Sequence, residues 1–258
     1  MNNTVKKVLR VLFSLFFWLA LWVIISYKVS NSFLFPSPKD TIKVLSELVV
    51  DGKFWLISLR SFGRIILGII VAVVIGVSIA VITSRSKLTD VLMSPVLSAV
   101  KATPVASFII LISIWLDKNN LPVFITALIV LPVVCTNISV GIRSVSRVLT
   151  EVAEVYKLPV SKKITKLYIP SIMPYFLAAM KASLGMAWKA GIAAEVLSPP
   201  TYAIGTQLSY AKTYLEMPTM FAWTFVVIIF SLVIEKLFIY SLTRISDRLH
   251  ASMWEVKI

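Results

Sequence analysis

Between Arg10 and Lys28 seventeen residues carry no charge. This run, VLFSLFFWLALWVIISY, predicts a membrane-spanning helix over about residues 11–28, since a bilayer core takes roughly 20 apolar residues in helical form. A cleaved leader would share its basic flank and apolar centre. The chain continues SYKVSNSF with no small-x-small cleavage site, so the helix is expected to be retained. Further apolar runs predict spans at 54–84, 88–116, 121–142, 172–197 and 217–242. In the second, Gly68 and Gly76 offer surfaces for the close approach of a neighbouring helix, and Arg60 and Arg64, one turn apart near its start, are expected to snorkel to the interface. Pro95 and Pro104 break the third span and Pro132 lies inside the fourth; the polar turn Asp117-Lys118-Asn119-Asn120 separates the two. Lys181, Lys189 and Glu195 interrupt the fifth, and Glu235 and Lys236 come late in the sixth.

Two connections have structure of their own. Ser37-Pro38 reads as an N-cap followed by proline at the first helical position, with Asp40 in the first turn. Ile42, Leu45, Leu48 and Val49 then share one face, which predicts a short amphipathic helix along the membrane surface. The longest connection, 143–170, reads RSVSRVLTEVAEVYKLPVSKKITKLYIP. Val148, Val152 and Val155 recur at helical spacing, as do Leu149, Ala153 and Tyr156. Leu158-Pro159 should end that helix, and a second should run from Ser161 to Tyr168 before Ile169-Pro170. By composition this helix pair either meets a protein partner or rests on anionic lipid.

Composition agrees with the pattern. Of 258 residues 58% are apolar and 15% charged, with a mean hydropathy of +0.90. An ordinary soluble domain is about 45–50% apolar and about 25% charged. The fold class expected is an all-α polytopic membrane protein of about six helices, in a single transmembrane domain over residues 1–258. The net charge of +14 follows from topology and requires no nucleic acid. With both termini cytoplasmic, inside segments hold fourteen basic residues, among them Arg85, Arg143, Lys163, Arg248 and Lys257, against six outside. This is the bias of the positive-inside rule.

Chemistry is sparse. The one histidine, His250, and the one cysteine, Cys135, give no metal-ligand cluster and no nucleophile–base pair. Neither a Walker A sequence nor GxGxxG is present. No catalytic residue, no metal and no bound cofactor are expected, and any ATP used would bind a partner.

Glu151-Val152-Ala153, followed eighteen residues later by Ile169-Pro170, resembles the EAA loop of permease subunits in binding-protein-dependent ABC importers. The family pattern is E-A-A, three residues, G, nine residues, I-x-L-P. Glu151, Ala153 and Pro170 match it. Val152 replaces the first alanine, Leu167 and Ile169 take the aliphatic places, and Lys157 stands where glycine is usual. FPSP before the second span, TPVASFIILISIWL in the third and GMAWKAGIAAEVL in the fifth are similar to the nitrate/sulfonate/taurine branch, and the similarity runs over about residues 10–245.

The resemblance implies a type I importer permease: half of a pore in the cell membrane, pairing with a second copy. A cytoplasmic ABC ATPase, in two copies, would supply ATP hydrolysis, and an extracytoplasmic binding protein would deliver the solute. Glu151 would meet a basic residue of the ATPase, while Ala153, Val155, Tyr156 and Leu158 fill its groove; Val152, Lys157 and Pro170 complete the coupling residues that the resemblance implies. ATP binding would draw the two loops together and flip the pore. The solute expected is small and anionic, such as a sulfonate, nitrate or taurine, or else a vitamin precursor.

Ionisable residues within spans are functional candidates by default. Lys101, with Thr103 at the proline break, and Lys189 are candidates for the solute pathway, together with Trp188 and Glu195. Glu195, six residues from Lys189, should seek another helix or the outer interface. Lys181 is expected to snorkel, and Trp188 is the kind of residue that packs more often than it binds. Other classes fare worse. An intramembrane enzyme lacks a convergent nucleophile and base. The scaffold of an energy-coupling-factor vitamin transporter would carry alanine-arginine-glycine signatures, and the 143–170 loop has none.

Overall fold

The computed structural model describes residues 3–29, 31 and 34–254, with side chains for 6–29, 31 and 34–244. The side chains of Arg248 and His250, and all of Lys257, lie outside the described residues. Helix α1 (Asn3–Val29) is followed by α2 (Pro38–Val50) and α3 (Gly52–Arg85). The expected N-cap opens α2: Ser37 Oγ accepts the amide of Asp40 at 3.1 Å. On its face Leu45 and Leu48 pack inward, whereas Ile42 and Val49 stay exposed.

The third expected span is two helices, α4 (Lys87–Ala102) and α5 (Val105–Ile112), bent by 101° at the break between them. Pro104 is the cause. Its ring pushes the preceding residue out of the helical region, and Thr103 sits at φ −79°, ψ 132°. Pro95, Pro132 and Pro174 are instead accommodated within their helices.

Helix α6 (Leu121–Arg143) lies between α3 and α9 (Ile169–Leu197), and these three form the centre of the molecule. Small residues set the spacing. A Cβ at Gly68 would stand 2.6 Å from the carbonyl oxygen of Val123, and one at Gly76 3.1 Å from Val134 Cγ1. Gly191 of α9 meets Ile65 of α3 in the same way. Helix α11 (Met217–Trp254) covers this core from one side and also packs on α2 and on α10 (Ile204–Thr213). Trp22 of α1 stacks on Phe221 and Phe225 of α11 and donates to the carbonyl of Pro36 at 3.0 Å.

Among the described residues, four helical segments are long and apolar enough to cross a membrane: Lys6–Val29, Gly52–Arg85, Leu121–Arg143 and Met217–Arg244. Counting the bent α4–α5 pair as one span makes five. Helix α9 has the length, with 29 residues, but carries Lys181, Lys189 and Glu195.

Between α6 and α9 run α7 (Arg147–Val155) and α8 (Val160–Lys163), then a π-helical turn, Ile164–Tyr168, that passes straight into α9. Ile169-Pro170 therefore does not end the second helix of the loop, as the sequence led us to expect. The amide of Ile169 donates to Ile164 five residues back. That wide turn lets Pro170, which has no N–H, follow without a break.

Candidate functional site

A cavity of about 470 Å³ opens where the end of α4, the Thr103–Pro104 break, α6 and α9 meet. Lys101, Thr103 and Lys189 all line it, and the rest of the wall is mainly apolar, including Val133, Met186 and Ala193. The size falls within the usual range for small-molecule sites. Lys101 Nζ donates to Thr136 Oγ1 at 3.0 Å, and that hydroxyl donates to the carbonyl of Pro132 at 2.7 Å. Both lysines are exposed. The two ion pairs among the described residues are Arg64–Glu195 and Arg143–Asp90, so no carboxylate neutralises the cavity lysines. Its chemistry is two ammonium groups on an apolar wall.

Trp188 and Glu195 do not line this cavity. Trp188 is buried and donates Nε1–H to the carbonyl of Val227 at 3.0 Å, which ties α9 to α11. Glu195 is 0% exposed. Its Oε2 accepts from Ser61 Oγ at 2.8 Å and from the amide of Gly205 at 3.1 Å, while Oε1 lies 3.4 Å from Arg64 Nη1. Ser61 Oγ also accepts the amide of Ile204 at 2.9 Å. Glu195 and Ser61 together cap the first two residues of α10, whose N–H groups have no partner inside the helix. Arg64 does not snorkel. Its side chain is 13% exposed and donates from Nη2 to the carbonyl of Thr201 at 2.6 Å and from Nη1 to that of Tyr202 at 3.3 Å. The fold makes the difference: the guanidinium has a buried carboxylate and two carbonyls as partners in place of water. Arg60 does lie exposed, over the ring of Tyr202. The sequence signal for the cluster was Ser61 and Arg64 three residues apart on one helical face; nothing named their partner in α9.

The second feature is α7. Val152, Val155, Tyr156 and Leu158 are all exposed, with Val155 at 79% and Tyr156 at 76%. Glu151 and Lys157 are exposed beside them. Ala153 is the exception. It faces inward at 4% exposure, so it is not part of the outward face on which the sequence placed it. The helix ends in a Schellman turn: the amide of Leu158 donates to Ala153 at 3.0 Å and that of Lys157 to Glu154 at 2.9 Å. Lys157 has φ 48°, the left-handed region that favours glycine. A lysine thus stands in a turn position that glycine fits best. Pro170 is buried at the start of α9, away from α7 in sequence.

Residues 65–250 match the family described as binding-protein-dependent transport system inner membrane component. The chain belongs to that family. It is similar to a provisionally named aliphatic sulfonates transport permease of Bacillus subtilis, 26% identical over 217 residues, covering 83% of this chain and 77% of the relative. A nitrate import permease of Synechococcus elongatus is 27% identical over 207 residues, 76% of this chain and 74% of the relative. A bicarbonate transport system permease of Synechocystis is 26% identical over 171 residues, 64% of this chain and 60% of the relative. The permease is therefore a helical, multi-pass membrane subunit of an ABC importer, in the sulfonate/nitrate branch. The match gives no support to the energy-coupling-factor scaffold.

Proposed function

We propose that this permease carries a small anion across the cell membrane, driven by a separate cytoplasmic ATPase that grips α7. The exposed apolar face of α7 carries the coupling role. An apolar face flanked by Glu151, Glu154 and Lys157 is unstable in water and marks a contact surface. Val152, Val155, Tyr156 and Leu158 enter the ATPase groove, and Glu151 pairs with a basic residue at its rim. Ala153 acts from inside, its small side chain letting α7 seat against its own chain. Pro170 belongs to the rigid joint that transmits movement of the loop into α9. Nucleotide binds the ATPase, and this chain supplies no catalytic group.

The solute path runs through the cavity of Lys101, Thr103 and Lys189. On one chain these lysines face an open side, which a second copy of the permease would close. Two ammonium groups without a counter-carboxylate favour an anion. The solutes for which these relatives are named, sulfonate, nitrate and bicarbonate, are all small oxyanions. An extracytoplasmic binding protein delivers the solute to the outer mouth, and closure of two ATPases rotates the paired permeases as rigid bodies. Both termini and α7 lie in the cytoplasm, in keeping with the excess of basic residues there.

The test is uptake of labelled sulfonate, nitrate and bicarbonate into vesicles holding the permease with its ATPase. Uptake of at least one anion should require both ATP and the binding protein. Glu151→Lys should release the ATPase while the permease still inserts. Binding-protein-independent or ATP-independent uptake would overturn the reading.

A further inference from the structure

A second cavity, of about 640 Å³, lies at the opposite end of α3 from the Arg64–Glu195 cluster. Val77 and Val81 of α3, Ile142 of α6 and Ile172 of α9 form an apolar wall. Arg85, Arg143 and Lys163 also line it, with Ser84 and Tyr168 adding hydroxyls. Arg143 is paired with Asp90 at 2.8 Å. Arg85 and Lys163 form no ion pair among the described residues.

The order of these groups along α3 is informative. Arg85 ends the uncharged run that begins at Ile65, so the cations stand where hydrocarbon gives way to headgroups and the apolar wall lies deeper. Three lining bases, with Asp90 beside Arg143 as the one paired acid, leave the charged side of the cavity net positive. We infer that this cavity holds one anionic phospholipid, its phosphate between Arg85 and Lys163 and an acyl chain along Val77, Val81 and Ile172. The apolar wall selects a lipid over a free phosphate, and the positive side selects an anionic lipid over a zwitterionic one. Lys163 and Ile164 belong to the segment that carries α7, so the bound lipid braces the coupling loop against α3 and α6. The inference rests on the proposed cytoplasmic placement of α7.

The test uses the whole permease–ATPase complex in nanodiscs of phosphatidylcholine with phosphatidylglycerol, read by native mass spectrometry after extraction. Wild type should retain phosphatidylglycerol. Each basic residue near an anionic headgroup contributes about fivefold in affinity, so Arg85→Gln with Lys163→Gln should weaken retention by about 25-fold. Lys118→Gln, at the other end of the molecule, should leave retention unchanged. Val81→Phe keeps every charge but fills the apolar wall, and it should also expel the lipid. Equal retention by wild type and both cavity variants would overturn the inference. So would displacement of the lipid by soluble glycerol phosphate at comparable concentration, which would make the cavity a soluble-anion site. Labelling of Lys157→Cys with a membrane-impermeant maleimide separates the two claims. Labelling from the cytoplasmic side together with unchanged retention rejects the lipid and leaves the orientation standing; labelling from outside rejects the orientation.

Discussion

Ser61 donates its hydroxyl to the carboxylate of Glu195 at 2.8 Å, although 134 positions separate them in the chain. The same hydroxyl accepts the amide of Ile204, so one serine joins α3, α9 and the start of α10. Arg64 completes the cluster by holding the carbonyls of Thr201 and Tyr202. The loop 198–203 is tied from its other side by Asn119, whose Oδ1 accepts the amide of Thr201 at 3.1 Å.

Glu195→Ala should therefore destabilise the end of the bundle where α3, α9 and α10 meet. Removing one partner of a buried pair costs about 3–5 kcal/mol, because the other charge is left uncompensated. Glu195→Gln keeps the shape and an acceptor for Gly205, and should cost less. Ser61→Ala should cost about 1–3 kcal/mol by leaving buried polar groups unpaired. Thermal unfolding midpoints of the purified permease in detergent measure all three. A wild-type midpoint for Glu195→Ala would remove the cluster from the account.

Glycines of α3 should divide sharply. Gly68→Ala drives a methyl toward the backbone carbonyl of Val123, which cannot yield as a side-chain tip would, and should cost about 1–3 kcal/mol. Gly63 has nothing within 4 Å of an added Cβ, so Gly63→Ala should be neutral or stabilising by up to about 1 kcal/mol. The same unfolding assay distinguishes them. Equal behaviour of the two variants would contradict the α3–α6 packing.

Much of this architecture was legible in sequence because it is local. Uncharged length gave the long helices, Ser37-Pro38 gave the cap of α2, and Gly68 and Gly76 marked where α6 approaches. The misses come from tertiary partners that local patterns do not contain. Arg64 reads as a snorkelling residue until Glu195 is known to lie beside it. Ala153 shares a helical stripe with Leu149 and Tyr156, yet burial turns it inward. Pro170 looked like a stop because a proline breaks ordinary helical register, and the π-helical turn before it was invisible. Of the solute-path candidates, Lys101, Thr103 and Lys189 share a cavity, while Trp188 and Glu195 went to packing and capping. An ionisable residue in a span signals a function without saying whether that function is transport or structure.

Lys157 occupies a backbone conformation that costs a residue with a Cβ about 1–2 kcal/mol. Lys157→Gly should relieve this and firm the end of α7, slowing hydrogen exchange at the amide of Leu158 by about fivefold. A β-branched residue at 157 should do the reverse. Faster exchange in the glycine variant would show that lysine makes a contact here worth more than the strain.

In the solute cavity, Lys189→Met removes an ammonium and retains its apolar stem. Anion uptake should fall by about tenfold or more, the effect of losing one charge-assisted contact of about 1.5–3 kcal/mol. Assembly with the ATPase should be intact by pull-down. Lys181→Met, outside the cavity lining, is the control. Unchanged uptake by Lys189→Met would exclude this lysine from the pathway.

The central claim is that a cytoplasmic ATPase grips the outward face of α7. Val155, 79% exposed, is the position that tests it most directly. A cysteine placed there in the assembled importer, paired with one in the ATPase groove, should crosslink permease to ATPase, and the yield should change when ATP is added. An intact, transporting complex in which position 155 never crosslinks to the ATPase, or is modified only from outside the cell, would contradict the account.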